Sequence, residues 1–147
     1  SKTVNYRIRQ SMKYWLLKSE PNTWSWDDQI KEKVSMWDGV RNYQARSNLM
    51  NMRVNDLCFF YHSVNEKKIV GIVSVIKEHC TDPTDKTKKF VAVKVKTKKS
   101  LKNHITLKQI KKEKKLSHLA LVRQSRLSVM PIDKISWDLI CKLGDIQ

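Results

Sequence analysis

The sequence predicts one mixed α/β domain of the α+β kind, and three observations carry that expectation. Apolar runs of strand length recur at Tyr14 to Leu17, Leu57 to Ser63, Ile69 to Ile76 and Phe90 to Lys98. Short segments with helix-start and helix-stop signals lie between and after them. No internal repeat, Gly-rich phosphate loop or low-complexity linker divides the 147 residues. A chain of that length buries roughly two-thirds of its unfolded surface around a single core.

Ser1 to Ser11 is polar and basic without apolar periodicity and precedes Met12, which reads as a natural start. The expectation is a flexible basic arm over residues 1–11 and the domain over 12–147. Tyr14-Trp15-Leu16-Leu17 reads as a short buried strand broken at Pro21, which leaves Lys18, Ser19 and Glu20 at a strand end. Such a triplet is either presented to a pocket or is an ordinary turn before a helix. Ser25 followed three residues later by Asp28 is a capping-box pattern opening a helix through Lys33. Trp24 and Trp26 flank its start, and one of them is expected in the core.

Ala45 to Met52 reads as a second helix, and Val54-Asn55-Asp56 as a turn into the strand Leu57 to Ser63. Val64 to Lys67 turns that strand back into Ile69 to Ile76 as a hairpin. Asp82 to Asp85 is a turn, Phe90 to Lys98 a half-exposed strand and Leu107 to Lys115 a helix. Asp133 to Leu143, apolar at Ile135, Leu139, Ile140 and Leu143 with Trp137, is an amphipathic helix closed by Gly144.

Function is concentrated in Trp37-Asp38-Gly39-Val40-Arg41-Asn42-Tyr43-Gln44-Ala45-Arg46, a poor ordinary core segment. Trp37 and Tyr43 offer flat faces for a planar ligand, Asn42 and Gln44 offer paired donors and acceptors, and Arg41 and Arg46 offer forks for phosphate. Gly39 lets the backbone turn there. The plainer alternative makes Trp37 a buried anchor and the arginines surface charge.

Charge points the same way. The chain carries 30 Lys+Arg against 14 Asp+Glu, a formal net charge of +16, which calls for a polyanionic partner, nucleic acid ahead of an anionic membrane surface. From Lys86 to Lys115 thirteen lysines face one acid, Glu113. That density is either a solvated face or a phosphate-tracking surface, with Lys98, Lys99, Lys111 and Lys112 as candidates. Arg123 and Arg126 are the only arginines of the second half, which points to bidentate geometry there. No apolar run approaches the ~18 residues of a membrane span. The expected protein is an intracellular monomer, without a membrane, nuclear if eukaryotic and otherwise cytoplasmic. Cys58, Cys80 and Cys141 are widely spaced, so neither a disulfide framework nor a metal site is indicated, and Cys58 belongs to a buried strand. No cofactor loop is present.

Five blocks in order resemble the EVE domain family: Tyr14 to Pro21, Trp37 to Arg46, Phe60-Tyr61-His62-Ser63, Asp82-Pro83-Thr84, and Arg123 to Val129. The family's usual Gly-Asp before the central strand is Asn55-Asp56 in this chain. The resemblance implies a PUA-like fold, a curved mixed sheet or pseudo-barrel flanked by short helices and related to the YTH domains. It also implies a pocket for a modified nucleobase, such as methylated cytosine or a derivative, in DNA or RNA. The resemblance matches Lys18, Ser19 and Trp37 to the pocket and places Asn42, Tyr61, His62, Arg126 and Ser128 in matching blocks. With the reading of the residues themselves, the pocket residues are Lys18, Ser19, Glu20, Trp24, Trp26, Trp37, Asp38, Asn42, Tyr61, His62 and Ser128, with Arg41, Arg46, Arg123 and Arg126 on the phosphates. Two rivals stand beside this reader. One is an enzyme on a nucleobase or nucleic acid in which His62 works with Glu20 or Asp38, and the other is a protein-binding adaptor using exposed aromatics. His62 is read as a hydrogen-bonding group rather than a general base, because no nucleophile partner accompanies it.

Overall fold

The computed structural model describes residues 11–146, so the arm expected over 1–11 lies, apart from Ser11, outside the described residues. The elements run β1 (Tyr14–Ser19), α1 (Trp26–Glu32), β2 (Val34–Trp37), α2 (Tyr43–Asn51), β3 (Leu57–His62), β4 (Lys68–Thr81) and β5 (Val91–Thr106). They continue through α3 (Leu107–Lys112), a 3-10 turn (Lys114–Leu116), α4 (Ala120–Arg123), β6 (Val129–Ile132) and α5 (Lys134–Leu143). All six strands join one sheet in the order β2-β5-β4-β3-β1-β6. β1 pairs in parallel with β3, and every other pairing is antiparallel.

The residues explain the order. Cys58 to His62 in β3 are all buried, a continuous run of the kind that suits a strand covered on both faces. The short strands β2 and β6 hold the edges, and Pro131 in β6 lacks the N–H that an inner strand would need. Shifts of register along β4 and β5 bend that long hairpin. The result is an open sheet curved far toward closure. Trp37 of edge strand β2 sits edge-on to Phe60 of β3, ring centroids 5.4 Å apart, although β5 and β4 lie between them. In a flat sheet the three strand spacings would separate them by roughly 14 Å. Asn48 of α2 donates to the Val129 carbonyl of β6 at 2.8 Å, which ties the helix to the opposite edge.

Several boundaries differ from expectation, each for a local reason. β4 and β5 run to 14 and 16 residues, since Leu101 and Ile105 remain buried inside a stretch whose lysines hide the strand pattern. α2 begins at Tyr43 because the Asn42 side chain accepts from the Ala45 amide and caps the helix. The helix at 107 stops at Lys112, where Glu113 takes extended backbone angles. The segment after Leu119 forms α4 and then β6. In α5, Ile135 is 80% exposed, so the buried stripe is Trp137 and Ile140, with Leu139 only partly covered. Trp137 stacks on Phe59 with centroids 3.8 Å apart and on Tyr14 at 4.7 Å. The Ser25–Asp28 capping box is formed at both ends. Cys58 is buried, and burial pushes its thiol pKa up.

Trp26 is the aromatic that enters the core. Its indole lies over Gly71 of β4, where an added Cβ would overlap the ring. Its N–H donates to the Ser100 hydroxyl at 2.9 Å. Gly71→Ala is therefore expected to lower stability in urea unfolding by about 1–3 kcal/mol, since neither backbone nor indole has room to yield. An unchanged unfolding midpoint would contradict this packing.

Candidate functional site

Curvature leaves a cavity of about 540 Å³ between the edges of the sheet. Lys18, Ser19 and Glu20 reach it from the end of β1, Thr23 and Trp24 from the following turn, Met36 to Asn42 from the end of β2, and Ser128 from ahead of β6. Its size falls in the range of small-ligand sites.

Trp37 is both anchor and wall: 7% of it is exposed, its ring packs on Phe60, and it lines the cavity. Trp24 is fixed by its indole N–H, which donates to Gln29 Oε1 at 2.9 Å. Buried Gln29 is held in turn by the Ser35 hydroxyl, which donates to the same oxygen at 2.6 Å. Two tryptophans from separate elements therefore border one space, which is what stacking of a planar ligand requires.

The loop carrying Trp37 onward is clamped by Asp82. Its side chain is fully buried and accepts from the Gly39 amide at 2.8 Å, Arg41 Nη1 at 2.9 Å and the Thr84 amide at 2.7 Å. Gly39 has φ of 78°, the left-handed conformation expected of a glycine turn. Burial pushes the Asp82 carboxyl up, but the bonds from Thr84, Arg41 and Gly39 outweigh it and hold its pKa below the usual carboxylate range. Asp38, beside it in the cavity, moves the other way: burial and then the negative charge of Asp82 raise its pKa.

These partnerships separate occupied polar groups from free ones. Ser19 donates to the Trp24 carbonyl. Lys18 Nζ donates to the Ser125 carbonyl at 2.9 Å and lies 5.7 Å from the Tyr61 ring centroid. Burial lowers the pKa of that lysine. Asn42 spends its carbonyl oxygen on the helix cap and keeps its Nδ2 donors. Among the described residues, the edge-reading groups left over include the Asn42 amide donors and the Asp38 and Glu20 carboxylates.

The structure thus gathers Lys18, Ser19, Glu20, Trp24, Trp37, Asp38, Asn42 and Ser128, with Arg41, around one cavity. Three expected pocket residues stand elsewhere. Trp26 is core, Tyr61 is buried and borders a neighbouring cavity with Lys18, and His62 is structural. His62 Nε2 accepts from the Trp26 amide at 2.9 Å and its Nδ1 faces Glu66 Oε1 at 3.0 Å, so both ring nitrogens are engaged. The acid–base pairing of His62 with Glu20 or Asp38 is therefore not assembled; Glu66 is its partner.

The basic residues also divide. Arg41 is committed to Asp82 and Thr84 rather than free for phosphate. Arg46 is half-buried on α2, 5.9 Å from the Tyr43 ring, and away from the cavity. Tyr43 itself is outside, against Phe90. Arg123 is exposed and donates from Nε to the Ser117 carbonyl at 3.1 Å. Lys98 and Lys99 are exposed on β5 and Lys112 on α3, while Lys111 and Arg126 border the neighbouring cavity. Thr23, Met36 and the Asp82 clamp were missed from the sequence. Asp82 was visible there as a turn residue and in a resemblance block, but not as a clamp, because its partners Gly39 and Arg41 lie 43 and 41 positions away.

A family model described as EVE domain matches residues 13–143. Thymocyte nuclear protein 1 of Mus musculus is 31% identical over 168 residues, covering 91% of this chain and 74% of its own. The NMR structure of Rpa0253 from Rhodopseudomonas palustris superposes with a TM-score of 0.86 at 46% identity, covering 91% of this chain and 94% of its own. The crystal structure of human THYN1 protein in complex with 5-methylcytosine containing DNA superposes with a TM-score of 0.85 at 28% identity, covering 92% and 99%.

Asp82→Ala leaves the Gly39 amide and Arg41 without their acceptor and is expected to cost about 1–3 kcal/mol near neutral pH. The Asp82 pKa is lower folded than unfolded, so its stabilisation is complete above the ordinary carboxylate value and is lost as pH falls from there through the lower folded value. The gap in urea unfolding between wild type and variant should therefore begin to close below about pH 4 and go on closing as pH falls further; a gap that stays constant would contradict the clamp.

Proposed function

The chain belongs to the EVE domain family, and from that premise and the geometry of the cavity we propose that it is a reader of a modified nucleobase in nucleic acid. The observation that carries the reading is the pair Trp24 and Trp37, brought from two elements to one cavity beside free edge-reading groups. A base inside a duplex cannot reach such a space, so the nucleotide enters extruded or from a single strand. Stacking on the indoles contributes about 1–3 kcal/mol.

The human relative in complex with 5-methylcytosine containing DNA makes a modified cytosine in DNA the first candidate. Cytosine presents an amino donor and two ring-edge acceptors, matched by the Asp38 carboxylate and the Asn42 amide donors. A methyl at C5 adds buried apolar area worth about 1 kcal/mol, which sets modest rather than absolute discrimination. The exposed lysines of β5 and α3 hold flanking phosphates without reading sequence. His62 takes no part in chemistry in this account. Among the described residues no helix is long and apolar enough to cross a membrane, and the name of the animal relatives favours the nucleus where the source cell has one.

Asn42→Asp tests the edge contact cleanly, because aspartate still caps α2 but replaces the amide donor by an acceptor. Affinity for the modified oligonucleotide should fall by about 1–3 kcal/mol with the unfolding midpoint little changed. Trp24→Ala should remove the preference for modified over unmodified strands while salt-sensitive background binding remains. Trp37→Ala also opens the core beneath it, so it serves only with a stability control. Full preference retained in both Asn42→Asp and Trp24→Ala would reject the cavity as the base site.

A further inference from the structure

Beside the base cavity lies a second one of about 500 Å³, and the two share Lys18, Glu20 and Ser128. Its character is different. Lys18, Lys67, Lys111 and Arg126 border it against the single acid Glu20. Those four cations come from β1, the turn after β3, α3 and the loop ahead of β6, so they converge by folding and not as a run of neighbours. None of them makes an ion pair within the described residues. A solvated lysine face would spread its charges, whereas these enclose a space and repel one another across it unless an anion is present.

From this arrangement we propose that the second cavity is a phosphodiester site, which grips the backbone phosphate joining the caged nucleotide to its neighbour on one side. The inference rests on the base-reader account. Lys18 is the hinge between the two spaces: it borders both, and its only hydrogen bond within the described residues, to the Ser125 carbonyl, leaves two N–H donors. Burial already lowers its pKa, a cost that a neighbouring phosphate would relieve. Arg126 supplies the planar fork that fits two phosphate oxygens, while Lys67 and Lys111 supply point charges. The ligand is then a nucleotide held within a strand, with a defined polarity, rather than a free nucleoside. This one-sided grip differs from the diffuse attraction of the β5 lysines, which would weight both flanks alike.

The experiment uses trinucleotides with central 5-methylcytosine or cytosine, in which the phosphodiester on the 5′ or the 3′ side is replaced by an uncharged methylphosphonate. Wild type should lose about tenfold in affinity when one particular linkage is neutralised and much less for the other. The double variant Lys111→Gln/Arg126→Gln, both exposed positions, should bind the charged and neutral versions of that linkage nearly alike. Equal penalties on the two sides, or a one-sided penalty undiminished in the double variant, would overturn the phosphate site. The base reading fails separately: wild type that binds methylated and unmethylated strands equally counts against the first cavity, whatever the linkages do.

Discussion

Trp37 belongs to an edge strand, yet its indole rests on Phe60 three strands along the sheet. That contact requires the sheet to curve until β2 and the β1–β6 side approach each other, and the cavity is the gap that remains between them. One side chain thus serves as core and as wall. Because protein interiors are close-packed, a wall built on the core is held in place before any ligand arrives, which reduces the ordering cost of binding. The same coupling makes the site sensitive to changes in the core beneath it.

Around that contact, hydrogen bonds sort polar groups into those that hold the frame and those that remain for a ligand. Asp82 fixes the loop through Gly39 and Arg41, His62 joins the α1 amide to Glu66, Gln29 fixes Trp24, and Asn42 caps α2 with one end of its amide. Buried polar groups need such partners, so residues that look reactive in a sequence are consumed by architecture. Few edge-reading groups survive this sorting, and a small number of fixed donors and acceptors is what selectivity demands.

Much of the fold was legible because its signals are local. The apolar run Leu57 to Tyr61, the Ser25–Asp28 capping box and the Asp133 start of α5 each depend on residues a few positions apart. The lower half of β5 was not, since lysines on its outer face dilute the period-two pattern. At the site, Trp37, Trp24 and the strand-end triplet were legible as a rigid element ending in polar groups. Whether Trp26, Tyr61 or His62 joined them depended on which way each side chain turns after folding, and Trp26 turned to Gly71, which no spacing reveals. Arg41 looked like a phosphate fork because its carboxylate partner is 41 residues away.

The most direct test is wild-type affinity for matched oligonucleotides, with and without a 5-methyl group on one cytosine, across a salt series. Both affinities should fall together as salt rises, because the phosphate contacts they share are screened. Their ratio should hold at about fivefold, the value of one buried methyl, because the methyl contact carries no charge. A ratio of one at every salt concentration, or one that collapses as salt rises, would contradict a base-reading cavity.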